Sequence, residues 1–175
     1  MADTRIISVI GRKGAGKTTL IVALASEFIR KGRRVMTIKH AGHPAEVDRP
    51  GLDSHRHFHE GKAERTLLVT PDLRVSFERH SGEADPVALV RHYHQGADLV
   101  LVEGYTNAHL PKIEVFRKVA SDRSIYEPTL PNAGEWIAIV TDVERLEAPC
   151  PVLRFHDTMW LQLLANMAWE KALVI

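Results

Sequence analysis

The sequence has little cysteine, no long apolar run and almost no net charge. Its 175 residues include one cysteine, Cys150, which excludes an internal disulfide and a multi-cysteine metal site. No apolar stretch approaches the length of a membrane span, and Met1 to Arg5 lack the basic and apolar regions of a signal peptide. The sequence therefore predicts a cytoplasmic protein without a membrane segment.

The formal net charge of +1 hides an uneven distribution. Residues 1–65 contain 13 Lys and Arg against 7 Asp and Glu, whereas the remainder contains 10 against 15. A basic half of this kind suits a polyphosphate ligand. No basic run is interleaved with aromatic residues, which argues against nucleic-acid binding. Length and composition predict one domain covering residues 1–175.

A glycine-rich motif lies between an apolar run, Ile6–Ile10, and an amphipathic segment that begins at Lys17. It matches G-x-x-x-x-G-K-T, in which backbone N–H groups and a helix N-terminus hold the phosphates of a nucleoside triphosphate. The alternative without a ligand is a glycine-rich turn that carries a surface lysine. The strand before the motif and the helix after it argue against this alternative. The predicted phosphate-binding residues are Gly11, Arg12, Lys13, Gly14, Ala15, Gly16, Lys17, Thr18 and Thr19.

Particular side chains of this P-loop have particular expected roles. Lys17 neutralises the β- and γ-phosphates, Thr18 supplies a hydroxyl ligand for Mg²⁺, and Thr19 contacts the α-phosphate. Arg12 occupies the position where one branch of P-loop proteins has a lysine that reaches the nucleotide of a partner subunit. Arg12 acts either in this way or as a solvated arginine, and the sequence favours the solvated arginine.

Strand and helix patterns alternate along the chain, which predicts an α/β, P-loop NTPase-like three-layer fold with a mainly parallel central sheet. A turn at Pro71-Asp72 predicts a hairpin, and Asp53 and Asp85 are expected to precede helices. The predicted strands are 6–10, 35–39, 65–70, 73–79, 99–102, 112–117, 136–141 and 152–155. The predicted helices are 17–31, 54–62, 86–95 and 158–172.

Glu103 ends the most apolar run, Leu99–Val102, and Gly104 follows it. A carboxylate at the end of such a strand beside a P-loop can bind magnesium or orient an attacking water. Glu103 is therefore the predicted partner of Thr18 at the metal, and it joins Lys17 as a predicted catalytic residue. The alternative is a solvated carboxylate at a strand end.

Ten histidines are many for this length, and five of them cluster. On a helix His55 and His59 would share one face, but His57 would point elsewhere. A solvated, histidine-rich helix is therefore favoured over a metal site. The clustered histidines are His40, His43, His55, His57 and His59.

The strand 136–141 leads into Thr141-Asp142-Val143-Glu144, where guanine-specific P-loop proteins often have N-K-x-D. Either acidic residue can accept the guanine N1–H and N2–H donors. A capping aspartate at a strand-to-turn junction is an equally good interpretation. The residues alone leave GTP and ATP both open.

Taken together, these residues resemble the molybdopterin-guanine dinucleotide biosynthesis protein B (MobB) family. The resemblance covers about residues 6–142. Beyond the P-loop and the Thr141-Asp142 pair, it rests on Ile38-Lys39-His40, His43, Asp48, Pro50-Gly51, Asp53-Ser54, Leu101-Val102-Glu103-Gly104-Tyr105 and Pro111-Lys112-Ile113-Glu114.

The resemblance implies a GTP-binding accessory protein with weak GTPase activity and Mg²⁺ dependence. Its implied role is in attaching GMP to molybdopterin, together with a MobA-type guanylyltransferase and as a homodimer whose sheets pair between subunits. Asp48 and Asp53 are implied to line the nucleotide cleft. Glu46 and Leu52 depart from the family's D-x-D-x-x-G-K-D-S loop, so family roles are not transferred to them.

Two other functions use similar residues. A small-molecule kinase needs clustered arginines over the transferred phosphate, and no such cluster follows residue 80. A metal-delivery GTPase would use the histidines, but Cys/His ligand spacing and a clear N-K-x-D are both missing. The GTP-binding accessory protein is therefore the leading hypothesis.

Overall fold

The computed structural model describes residues 3–42 and 48–175. The chain forms two compact units. The first, here called the sheet unit, runs up to His40 and resumes from Asp85 to Ile175; the second, the hairpin unit, comprises Ala41–Ala84. The expectation of one domain over 1–175 stays a prediction.

Among the described residues, all strands except the last lie close to their predicted positions. They are β1 (Arg5–Ile10), β2 (Val35–Lys39), β3 (Arg65–Val69), β4 (Arg74–Glu78), β5 (Leu99–Glu103), β6 (Lys112–Phe116), β7 (Trp136–Thr141), β8 (Val152–Arg154) and β9 (Leu173–Val174). The helices are α1 (Lys17–Arg30), α2 (Asp53–His55), α3 (Pro86–Tyr93) and α4 (Trp160–Lys171). Within the described residues, no helix is long and apolar enough to cross a membrane.

The sheet unit has a central sheet in the order β2-β5-β1-β6-β7-β8, with every neighbouring pair in this series parallel. The predicted mainly parallel sheet is thus confirmed. The two-residue strand β9 pairs antiparallel with the start of β1. Two residues carry no periodic pattern, which is why the sequence does not predict β9.

Both faces of the sheet are covered, which explains the continuous apolar runs of its strands. Ile7 and Val9 belong to a core cluster that includes Phe28 of α1 and Leu164 of α4. Ile6 packs on the other face in a cluster with Val90 of α3. Successive residues of β1 therefore serve opposite layers, as the alternation of side chains along a strand requires.

The helix ends in the sheet unit have a glycine stop and a side-chain cap, and the cap was predicted at Asp85. Gly32, which has φ +77°, follows the C-cap of α1. The Asp85 carboxylate accepts a hydrogen bond from the Ala88 backbone N–H at 2.8 Å, so Asp85 caps α3.

The hairpin unit contains the antiparallel pair β3–β4 and helix α2, which continues as a π-helical turn, Arg56–Glu60. Asp53 is not the N-cap of α2, so that prediction is wrong. The helix begins one residue earlier than expected because the Leu52 carbonyl accepts a hydrogen bond from the Arg56 N–H (3.0 Å). Leu52 is therefore the N-cap, and Asp53 is the first helical residue.

Candidate nucleotide-binding site

The P-loop connects β1, in the middle of the sheet, to α1. At Gly11 the backbone φ is +150°, and a Cβ atom would lie 2.5 Å from the Val115 carbonyl oxygen. A side chain would therefore clash with the main chain of β6. Gly14 and Gly16 also have positive φ angles, +79° and +100°, which glycine adopts readily.

Lys17 folds back over this loop. Its ammonium group donates to the carbonyl oxygens of Gly11 at 2.9 Å and Arg12 at 3.1 Å. Since a lysine ammonium has three N–H donors, one remains for a ligand oxygen. The loop thus holds a fixed positive charge at the N-terminus of α1, where the helix dipole also attracts anions.

Thr18 and Glu103 meet beside the P-loop. The Thr18 hydroxyl donates to Glu103 Oε2 at 2.8 Å, and the Lys39 ammonium lies 3.3 Å from Glu103 Oε1. The strand register explains the meeting, since Glu103 of β5 is paired with Val9 of β1 and Lys39 of β2. Glu103 is 8% exposed, so the carboxylate is held within the fold.

These groups suit a magnesium ion chemically. Mg²⁺ prefers hard oxygen ligands, typically a hydroxyl, a carboxylate and phosphate oxygens. The hydroxyl of Thr18 and the carboxylate of Glu103 are of this kind and already converge. Both residues were predicted as metal ligands, and the structure brings them together; their metal-binding role remains a prediction.

The chain turns away sharply after Glu103. Gly104 has φ +96°, and its N–H donates to the Val9 carbonyl oxygen at 3.0 Å. The Ser8 hydroxyl donates to the Gly104 carbonyl oxygen at 2.6 Å. These bonds fix the end of β5 against β1, and so fix Glu103 against the P-loop.

A pocket of about 370 Å³ adjoins the first turns of α1. Its aromatic wall consists of Phe155 and Trp160, whose ring centroids are 5.4 Å apart. The pocket, here named the base pocket, thus combines a P-loop edge, an aromatic wall and the Asp142 carboxylate. Its lining residues are Ala15, Gly16, Thr19, Leu20, Ala23, Arg117, Asp142, Phe155 and Trp160.

Asp142 is held firmly at the edge of the base pocket. Its Oδ1 accepts from the Lys118 backbone N–H at 3.0 Å, and its Oδ2 accepts from Arg117 Nε at 3.3 Å. The hydrogen bond from Lys118, and then the Arg117 guanidinium, outweigh burial and lower the pKa of Asp142 below its ordinary value. The carboxylate is therefore ionised at neutral pH.

The neighbours of Asp142 in the segment Thr141-Asp142-Val143-Glu144 have different surroundings. Thr141 is buried, and its Oγ1 accepts from the Val143 N–H at 3.1 Å, which shapes the turn after β7. The Glu144 carbonyl oxygen accepts from Arg154 Nε at 3.1 Å. Of the two acidic residues, Asp142 is the one that lines the base pocket.

Asp48 and Asp53 belong to the hairpin unit. Asp48 Oδ1 accepts a hydrogen bond from the Ser54 hydroxyl at 3.3 Å, and Asp53 opens α2. Their place at the nucleotide stays a prediction. His43 and Glu46 lie outside the described residues.

The rings of His55 and His59 are stacked with centroids 4.2 Å apart, in agreement with the prediction that they share one face. In the described part of the chain, no group of three or more His, Cys, Asp or Glu is arranged to hold a metal ion.

Sequence reasoning missed the walls of the base pocket, Arg117, Phe155 and Trp160. Phe155 follows β8 and Trp160 opens α4, so both are more than 130 residues from the P-loop in sequence. The order of strands β1-β6-β7-β8 brings them near it. Two aromatic residues at element ends were the available signal, and alone they point to no ligand.

A family model described as "Molybdopterin guanine dinucleotide synthesis protein B" (MobB) matches residues 6–142. This range is most of the chain and includes the P-loop, Glu103 and Asp142. The chain belongs to this family. The resemblance inferred from sequence motifs is thereby confirmed.

Curated relatives of this chain have names that agree with the family model. The "Molybdopterin-guanine dinucleotide biosynthesis adapter protein" of Haemophilus influenzae is 32% identical over 146 residues, which cover 81% of this chain and 76% of that protein. The Escherichia coli K12 protein of the same name is 32% identical over 114 residues, covering 63% of this chain and 64% of that one.

A solved MobB structure has the same fold. The crystal structure of Bacillus subtilis MobB superposes with a TM-score of 0.68 at 19% identity, covering 93% of this chain and 97% of that chain. At this identity the likeness establishes the fold and not the ligand. The predicted P-loop NTPase-like α/β fold is confirmed.

Proposed function

We propose that this MobB-family chain is a GTP-binding adapter, dependent on Mg²⁺, that acts in the formation of molybdopterin guanine dinucleotide. One observation supports it most strongly. The Thr18 hydroxyl and the Glu103 carboxylate meet at 2.8 Å beside a lysine that closes a glycine loop. A triphosphate with its metal needs these three groups at one place.

In this proposal, different residues of the sheet unit bind the phosphates and the magnesium ion. The P-loop N–H groups and Lys17 hold the β- and γ-phosphates, while Thr18 and Glu103 hold Mg²⁺. When bound, Mg²⁺ neutralises charge on the phosphate oxygens. Thr19 lines the base pocket, and its proposed contact is the α-phosphate.

The base pocket supports guanine as the base. An ionised carboxylate accepts the N1–H and N2–H donors of guanine, whereas adenine presents an acceptor at N1. Phe155 and Trp160 offer apolar surface to a purine ring. Asp142 is therefore the residue proposed to hydrogen-bond the guanine base. Thr141 is proposed to stabilise the turn after β7, on which Asp142 lies.

Family membership and the names of the curated relatives support the pathway in this proposal. The proposed partners are a MobA-type guanylyltransferase and molybdopterin. The hairpin unit supports a homodimer, because β3 and β4 form a sheet of two strands among its described residues. Unpaired edges and exposed apolar side chains favour pairing with a second copy. The exposed side chains include Leu67 (58%), Val69 (59%) and Leu73 (57%).

Weak GTP hydrolysis is part of the proposal, and Glu103→Gln tests it. The glutamine keeps the size of the side chain and an acceptor for Thr18 but removes the negative charge at the metal. We expect the GTP turnover rate to fall at least about tenfold while the Kd for GTP changes by less than about threefold. Phosphate release and calorimetry measure the two quantities. Glu147→Gln, an exposed control, should change neither; unchanged turnover in Glu103→Gln would remove Glu103 from the reaction.

Asp142→Asn tests guanine recognition. Xanthine has a carbonyl where guanine has its 2-amino group, so an asparagine amide can donate to xanthine but not pair with both guanine donors. We expect GTP affinity to fall by about tenfold or more and affinity for xanthosine triphosphate to rise, reversing the preference. Asp72→Asn, in the exposed hairpin turn, is the matched control. Retained GTP preference in Asp142→Asn would show that another residue reads the base.

Calorimetric titration of the intact chain with GTP, with and without Mg²⁺, tests the proposal as a whole. The expected result is saturable binding of GTP that weakens when Mg²⁺ is removed with a chelator. Absence of binding to any nucleoside triphosphate would overturn it.

A further inference from the structure

A second pocket, of about 380 Å³, lies next to the base pocket in the sheet unit. The two are built from the same two chain segments. Arg117 and Asp142 line the base pocket, and the residues that follow them, Lys118 and Val143, line the second one. The ion pair between Arg117 and Asp142 therefore stands at the boundary between the pockets.

Three cationic side chains line this second pocket, namely Lys118, Arg123 and Arg145. Within residues 3–42 and 48–175, no carboxylate forms an ion pair with any of them. Asp122 and Glu127 also line the pocket, so the cations outnumber the acids by three to two. Unpaired basic side chains around a concave surface are the usual means of holding a phosphate group.

A buried carboxylate fixes the aromatic wall of the second pocket. Glu114 of β6 is 1% exposed, and it accepts hydrogen bonds from the Ile125 N–H (2.6 Å), the Tyr126 N–H (3.1 Å), the Ser124 hydroxyl (3.0 Å) and Trp136 Nε1 (2.9 Å). Four donors compensate for burial of the charge. They also tie residues 124–126 to the sheet, so the wall is in place before a ligand arrives.

Tyr126 provides aromatic surface in this wall. Its ring packs edge-to-face on Trp136, with centroids 5.7 Å apart, and lines the pocket together with Phe116. The pocket thus places aromatic surface beside three unpaired cations. Its volume is within the range of small-molecule sites.

We propose that the second pocket binds a small molecule in which a phosphate monoester is attached to a planar ring. Lys118, Arg123 and Arg145 contact the phosphate, and Tyr126 contacts the ring. Glu114 is a positioning residue that holds Tyr126. The site is separate from the P-loop, and the inference rests on the proposed function in one respect, since molybdopterin, one of the proposed partners, belongs to this chemical class.

The test uses 4-nitrophenyl phosphate, a phosphate monoester on a planar ring, and amide chemical shifts of the full chain. Both the wild-type protein and Lys17→Ala are titrated, because the latter is expected to weaken phosphate binding at the P-loop. We expect shifts in residues 117–127 and 143–146 in both proteins. 4-Nitrophenol, which lacks the phosphate, should bind at least about tenfold more weakly. Shifts confined to residues 11–19, or equal binding of 4-nitrophenol, would overturn the proposal.

Arginine variants identify the phosphate contacts. Arg123→Gln and Arg145→Gln should each weaken 4-nitrophenyl phosphate binding about tenfold, since each removes a charge-assisted hydrogen bond. Arg74→Gln makes the same change at an exposed site in the hairpin unit and should have no effect. Unchanged affinity in both pocket variants would contradict the assignment. GTP titrations of the same proteins report on the P-loop separately, so failure of either proposal is seen independently of the other.

Discussion

Lys17→Ala is expected to weaken binding of GTP with Mg²⁺ by at least ~100-fold. The variant removes the ammonium that spans the Gly11 and Arg12 carbonyl oxygens at 2.9 and 3.1 Å. In the proposed nucleotide complex that ammonium contacts both the β- and γ-phosphates, so two charge-assisted contacts are expected to disappear together. The backbone N–H groups of the loop remain, which is why weak residual binding is expected. Calorimetric titration measures the change.

The matched control for Lys17→Ala is Lys171→Ala, which removes an exposed lysine at the end of α4. Its GTP affinity should equal that of the wild-type chain. Thermal unfolding of both variants separates lost binding from lost folding. Wild-type affinity in a folded Lys17→Ala protein would contradict the proposed triphosphate site.

Glu114→Ala is expected to lower the free energy of unfolding by about 3–5 kcal/mol. The substitution removes the acceptor of four hydrogen bonds and leaves the buried Trp136 Nε1–H and the partly buried Ile125 N–H without this partner. Leaving a buried donor unpaired costs more than the hydrogen bond itself contributed. Urea denaturation, followed by tryptophan fluorescence, measures the loss.

Two further variants serve as controls for the Glu114→Ala result. Glu147→Ala removes an exposed glutamate and should change the free energy of unfolding by less than about 0.5 kcal/mol. Glu114→Gln keeps one acceptor oxygen but presents an amide group to donors. Its decrease in the free energy of unfolding should therefore lie between those of Glu114→Ala and Glu147→Ala. A Glu114→Ala protein as stable as the wild type would show that other groups satisfy these donors.

The phosphate site could be predicted from sequence because its parts are local. Gly11, Lys17 and Thr18 lie within eight residues, and the flanking strand and helix each carry a clear period. Glu103 is distant in sequence, yet it too could be predicted, since it ends the most apolar strand and the C-terminal ends of parallel strands share one edge. The register of β5 against β1 accounts for its contact with Thr18.

Other features depend on tertiary arrangement and could not be predicted. Phe155 and Trp160 join the base pocket only through the order of the strands. Glu114 and Lys112 look like the polar face of a half-exposed strand, but β6 is buried on both faces. Lys112 is fully buried and is neutralised by Glu135, with its ammonium also donating to the Leu110 carbonyl oxygen at 3.0 Å. Burial of charge in a central strand becomes visible only when its partners are placed.

The Glu135 carboxylate shows how that burial is balanced. Burial alone raises its pKa, but hydrogen bonds from Lys112 and His109 outweigh that effect, and the pKa is lowered. A depressed carboxyl pKa in the folded state adds stability above the unfolded pKa, and this contribution is lost as the pH falls through the folded pKa. The pair of Lys112 and Glu135 therefore supports the starts of β6 and β7 at neutral pH.

Reconstituted synthesis of molybdopterin guanine dinucleotide tests the central claim most directly. The reaction contains a MobA-type guanylyltransferase, molybdopterin, GTP and Mg²⁺, with this chain, with its Lys17→Ala variant or with neither. The account predicts that the wild-type chain raises the yield of the dinucleotide and that Lys17→Ala does not. Equal yields in all three reactions, or transfer of the γ-phosphate to a small molecule by the chain alone, would contradict it.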